Sequence, residues 1–261
     1  EKAMESGPRA CRWLRNALFL AVLSIPPLHS VALAEPPPDP QNKSTFIFYL
    51  ENDAFAGTDK NYTNAVKFSW ISRHLEKVHG GRGLANGSQW FIEQTTVADH
   101  NQYMHNLALS IGQNIYTPDD TSLATLIEDD RPYAGWTYLS AALHSQNFKL
   151  LNTLELSIGI VGPASLAEET QKIVHDWINS DEPQGWDNQL SNDPGLMLTW
   201  QRFWRVLRQP LGKGFAYDVI SHGGITLGNV FTYANLGGEI RFGFNLPADF
   251  GTSLIRPGGG T

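Results

Sequence analysis

The chain has 261 residues, 41% of them hydrophobic and 17% charged, with a formal net charge of -7 and a single cysteine, Cys11. The acidic balance argues against nucleic acid as a partner, which would favour a basic face. With its one cysteine so close to the N-terminus, the body of the chain has no disulfide framework, thiolate zinc site or cysteine nucleophile.

The first elements are addressing signals. Arg9, Arg12 and Arg15 precede the apolar run ALFLAVLSIPPL (17–28), and Ala32-Leu33-Ala34 follows just before Glu35. Positive residues, a short apolar stretch and small residues at -3 and -1 read as a secretory signal peptide over residues 1–34, cleaved after Ala34. A transmembrane helix needs a longer apolar run without two prolines. Cleavage removes two acidic and four basic residues and leaves a more acidic chain. EPPPDPQNK (35–43) reads as an extended Pro-rich linker. Residues 44–261 then form one large domain.

That domain is dominated by alternation of period two, the signature of strands. Strands are expected near 44–51, 62–72, 103–116, 133–145, 150–161, 196–207, 214–227 and 231–244. In LELSIGIVG the residues Leu154, Leu156, Ile158 and Ile160 share one face and Glu155, Ser157 and Gly159 the other. HNLALSIGQNIY and NYTNAVKFSWIS behave alike, with Leu107, Leu109, Ile111 and Val66, Phe68, Trp70 on their apolar faces. Runs of about nine to twelve residues suit an antiparallel transmembrane β-barrel, apolar outside and polar within. A soluble sandwich or lipocalin-like barrel shows the same alternation with the apolar face inward. The signal peptide and the lack of cysteines favour the membrane barrel. So do Tyr62, Trp70, Tyr103, Tyr116, Tyr133, Trp136 and Trp200, which lie near strand ends where an interfacial girdle belongs. In an up-and-down barrel the connections after the first, third, fifth and seventh strands open at one rim, which gathers nearly all the polar loop chemistry.

The third of those loops holds the clearest helical signal, SLAEETQKIVHDWIN (165–179). Ser165 as N-cap and Glu168 three residues on would make a capping box, and Gln171 and His175, four apart, share a face. Such a helix could roof the barrel mouth, although from sequence alone His175 also reads as a solvated helix residue making no special contact. Nucleophile elbows and zinc-binding His pairs are missing from the sequence. Oxygen chemistry is left: Asn52, Asp53, Thr63 and Asp181 can supply ligands to a hard cation such as Ca2+. A cation beside a histidine base makes a hydrolase that needs no protein nucleophile.

ENDAFAGTDKNYTN, RPYAGW, GIVGPASLAEETQKIVH and GWDNQL together resemble the outer-membrane lipid A 3′-O-deacylase family, over most of the chain from about residue 44. The resemblance implies a twelve-stranded outer-membrane barrel, of which about eight strands are expected here, so that the barrel is expected to be C-terminally incomplete. It implies Ca2+-dependent hydrolysis of the 3′-linked acyloxyacyl ester of lipid A, a lipopolysaccharide component of the outer leaflet, from the extracellular side. It assigns His175 as base, with Gln171, Asn52, Asp53 and Thr63 in the catalytic set and Asp53, Thr63 and Asp181 on the metal. The family carries Glu where Asp181 stands, and Glu182 competes for the place. Its second long loop carries a lysine that TPDDTSLATLIEDDRP lacks, so Arg131 is the candidate for substrate binding, though a planar guanidinium is not a point-charge ammonium. Another outer-membrane lipid esterase or phospholipase, or an inert barrel or pore, stands as the alternative function.

Overall fold

The computed structural model describes residues 43–52, 64–75 and 103–251. The expected signal peptide, nearly all of the linker, and Asp53, Tyr62 and Thr63 lie outside the described residues. Eight strands form one antiparallel sheet in sequence order: β1 (Thr45–Asn52), β2 (Asn64–Ile71), β3 (Met104–Tyr116), β4 (Ala134–Gln146), β5 (Leu150–Val161), β6 (Asp193–Gly212), β7 (Phe215–Gly228) and β8 (Tyr233–Phe244). All eight sequence expectations match in place, and β6 extends past its expected range at both ends. The sheet curls into a half-barrel. Lys67 on β2 reaches Glu155 on β5 at 3.2 Å, although β3 and β4 separate the two strands.

The faces settle which solvent the sheet is built for. Phe46, Phe68, Ile111, Leu139, Ile158, Leu198 and Leu227 all stand exposed on the outward face, Leu139 at 65%. On the inward face, Lys67, Ser69, Ser110, His144, Glu155 and Gln201 line a cavity of about 500 Å3. A soluble sheet has the opposite arrangement, so the apolar outward face is a lipid face and the fold is that of a transmembrane β-barrel. Replacing Leu139, near the middle of β4, by arginine is expected to destabilise the vesicle-inserted protein by about 2–4 kcal/mol. Urea unfolding in lipid vesicles measures this, and an unchanged midpoint would contradict a lipid-facing Leu139.

The aromatic residues near strand ends divide differently from expectation. Tyr103, Tyr133 and Trp136 are buried, and Tyr116 and Trp136 turn inward, so they form no lipid-side girdle. The reason is space made by glycine. Trp136 and Tyr138 stack at 5.6 Å above Gly195 and Gly112, where any Cβ would strike their rings. Trp70 and Trp200 do share the outward face, and Arg202 lies 5.4 Å from Trp200 and 5.9 Å from Trp204, a cation laid along apolar rings at a membrane edge.

Connections follow the expected asymmetry. Short turns join β4 to β5 and β6 to β7. The latter passes through Lys213 and Gly214, both at positive φ, as a two-residue hairpin turn with the right twist requires. Residues 117–133 and 162–192 make the long connections at the other rim. The second of these contains helix α1 (Ala167–Ile178).

Candidate active site

Helix α1 begins later than the sequence suggests, and without the capping box. Its N-cap is Leu166, in the left-handed region at φ 58 and with no side-chain cap. Ser165 instead closes a 3-10 turn (Pro163–Ser165), and its carbonyl accepts two hydrogen bonds from the sheet, Gln113 Nε2 and Thr137 Oγ1, each at 2.7 Å. With the carbonyl of Ser165 tied to β3 and β4, the helix starts one residue after Leu166. Glu168 pairs with Lys172 at 2.7 Å and holds that ammonium above its ordinary pKa. Exposed as it is, the pair adds little stability.

The docking site corrects the expectation of a roof over the mouth. Gln113 and Thr137 stand two residues along from the lipid-facing Ile111 and Leu139, so they belong to the outward face. A Cβ on Gly135, on that same face, would fall 2.0 Å from Ser165 Oγ and 2.2 Å from Ala167 Cβ. Helix α1 therefore lies against the outer wall of β3 and β4, where glycine lets it approach. Ala167, Ile115, Tyr133 and Trp186 pack together beneath it.

On its buried side α1 carries Ala167, Gln171 and His175. The helix ends at Asn179, again left-handed (φ 54), and Ser180 N–H returns to His175 O at 3.0 Å, the usual way a helix closes its last carbonyls. This reversal brings the Asp181 carbonyl to 2.5 Å from His175 Nδ1. A carbonyl only accepts, so Nδ1 carries the hydrogen and Nε2 is left as the basic nitrogen. The residues predicted from sequence thus meet in part. Gln171, His175 and Asp181 come together, Asp181 through its backbone.

One turn before His175, Gln171 is 2% exposed. Its Oε1 accepts from Trp186 Nε1 at 2.9 Å, while its Nε2 has no hydrogen-bond partner among the described residues. Trp186 packs on Tyr133 with ring centroids 4.9 Å apart, and Gly185 lies so close to that tyrosine that a Cβ would meet the ring at 2.5 Å. Tyr133 and Trp186 carry no charge and no spacing marks them as site residues, although both lie in the motifs RPYAGW and GWDNQL. Replacing Trp186 by phenylalanine removes one N–H and keeps the packing. The expected result is a roughly tenfold fall in turnover, corresponding to one neutral hydrogen bond, with the barrel still folded; equal turnover would show that the bond does not orient Gln171.

Asn52 ends β1 on a register row that runs Asn52–Asn64–Ile115–Gly135 across four strands. The last two residues of that row are the ground on which α1 rests, which puts Asn52 about 10 Å along the sheet from Ile115 and about 14 Å from Gly135. Arg131 lines a separate pocket of about 520 Å3 with the inward-turned Tyr116 and Trp136 and with Val161 and Phe231. Among the described residues, no cluster of three His, Cys, Asp or Glu side chains stands ready for a metal ion. The exposed carboxylate of Asp181 is nevertheless an oxygen donor of the kind a hard cation takes, and it follows His175 on the same reversal.

Comparison with known proteins completes the description. A family model described as "Outer membrane protein LpxR" matches residues 17–261. Among solved structures, LpxR from Salmonella typhimurium is similar in fold with a TM-score of 0.58, at 17% identity, over 77% of this chain and 64% of that one. The chain thus spans somewhat under two thirds of that protein's length. Among curated proteins no sequence matches.

Proposed function

The chain belongs to the family of outer membrane protein LpxR, and from that premise we propose that it is a carboxylic ester hydrolase, a Ca2+-dependent lipid A 3′-O-deacylase. It acts on lipopolysaccharide in the outer leaflet of the bacterial outer membrane, with its site on the extracellular side. The carrying observation is His175, pinned through Nδ1 by the Asp181 carbonyl on a helix laid against the lipid-facing wall. A base in that position meets a lipid ester from the side of the barrel and not from its lumen.

In the reaction, Nε2 of His175 takes a proton from a water molecule as its oxygen attacks the ester carbonyl carbon. The carbonyl oxygen becomes anionic, and Gln171 Nε2, its carbonyl end already held by Trp186, supplies a donor to it. Collapse breaks the bond to the sugar 3′ oxygen, which leaves with the proton from His175. The products are a free acyloxyacyl acid and a 3′-hydroxyl. Asp53, Thr63 and Asp181 would hold the calcium ion, with Asn52 beside them. When bound there, the ion would supply a fixed positive charge for the oxyanion. Arg131 is proposed as a contact for a lipid phosphate.

Mass spectrometry of lipid A from cells expressing the chain, grown and extracted with and without chelator, tests the reading. Loss of the 3′ acyloxyacyl mass, abolished by chelation, is the expected result. Unchanged lipid A from folded, membrane-inserted protein would refute it.

A further inference from the structure

Helix α1 has three sides, not two. One is buried on the barrel wall through Ala167, Gln171 and His175. A second carries Glu168, Glu169, Lys172 and Asp176. The third carries Ile173 and Trp177, four residues apart, exposed by 51% and 82%, with Leu166 at the helix entry in line with them and 58% exposed. Residues three, four and seven apart share a helix face, so this apolar flank runs the length of the helix, on the opposite side of the buried face from the charged flank. Thr170 is the one polar side chain along it, and its hydroxyl bonds back to the Leu166 carbonyl at 2.9 Å, leaving it little need of water. Leu166 also holds a backbone conformation that a leucine adopts at a cost, and still presents its side chain outward.

A helix that lies across the strands at a barrel rim has one free flank towards the water and one towards the membrane. The rows on which it sits, Gln113 with Thr137 and Ile115 with Gly135, continue directly from the lipid-facing pair Ile111 and Leu139. We propose that the flank Leu166–Ile173–Trp177 is immersed in the lipid leaflet, so that α1 is an interfacial helix extending the barrel's apolar band at the loop rim, with its charged flank in the water above. The charged flank has three acids and one lysine, so apolar burial and not attraction to anionic headgroups holds it there. Trp177 then occupies the headgroup level, where an indole is best accommodated.

The test places an environment-sensitive fluorophore at single cysteines in a Cys11→Ser background, with the full chain reconstituted in phospholipid vesicles that contain doxyl-labelled lipid. Sites 173 and 177 report the apolar flank, 169 and 176 the charged flank, and 139 the established lipid face. The expected result is blue-shifted, strongly quenched emission at 173 and 177, approaching that at 139, and several-fold weaker quenching at 169 and 176. Quenching at 173 and 177 no stronger than at 169 and 176, while 139 is quenched, would overturn the proposal. A label-free measurement guards against disturbance by the dye: Trp177→Phe should lower the quenching of total tryptophan emission by brominated lipid. No change there also overturns it. Neither readout depends on whether an ester is cleaved.

Discussion

His175→Ala is expected to lower lipid A deacylation by roughly 10²–10⁴-fold, the usual contribution of a positioned general base. The barrel should stay folded, because among the described residues the lost side chain makes one hydrogen bond, to the Asp181 carbonyl, worth about 1 kcal/mol. Heat-modifiable electrophoretic mobility checks the fold in parallel. The neighbouring acid gives a sharper contrast. Since His175 leans on the backbone of Asp181 and not on its carboxylate, Asp181→Asn leaves the imidazole oriented. Its expected effect is therefore a higher calcium requirement, with turnover near normal at saturating metal. If Asp181→Asn instead depressed turnover at every calcium concentration, the carboxylate would have to act on the reacting groups directly. Full activity in His175→Ala would remove the base assignment altogether.

The strands were legible because their signal is redundant. Each of Leu107–Ile111, Leu154–Ile160 and Val66–Trp70 repeats the same period several times, and a one-residue slip would turn a whole face the wrong way. Helix α1 was legible in its body but not at its start, since Ser165 had two competing uses and the sheet claimed its carbonyl. Where the helix would dock was not legible at all. That depends on Gly135, a residue with no side chain to read, and on the outward direction of Gln113 and Thr137 in a rim region where the alternation has turned polar. The pairing of Gln171 with His175 could be read from their spacing of four, whereas the part of Asp181 in orienting the ring could not. A carbonyl contact depends on the left-handed turn at Asn179, and any residue at position 181 would provide the same oxygen.

Asp218→Asn is expected to be the most destabilising single change in the barrel, by about 3–5 kcal/mol. Asp218 is fully buried, and three arginines converge on it. Arg241 binds both its oxygens, at 2.8 and 2.6 Å; Arg208 approaches to 3.4 Å and Arg205 to 3.6 Å. Arg205 and Arg208 stand three apart on β6 and would face opposite ways in a regular strand. A bulge between Arg205 and Leu207 turns Val206 out to 59% exposure and brings both guanidiniums inside. Their remaining donors bind the carbonyls of Phe148, Leu246, Pro247, Ala248 and Asp249, while the Arg205 guanidinium lies between the rings of Phe148 and Phe250 at 4.8 and 4.7 Å. The cluster thereby fastens the segment after β8 to the β4–β5 turn across the short-turn rim. An amide at 218 keeps the shape but leaves one buried and two half-buried cations facing one another, with the carboxylate that binds all three gone. Asp249→Asn supplies the comparison. Its carboxylate is 57% exposed, and its loss should cost no more than about 1 kcal/mol. Urea titrations in vesicles, followed by tryptophan emission, separate the two. Equal midpoints for Asp218→Asn and Asp249→Asn would mean that the buried carboxylate is not what holds the arginines together.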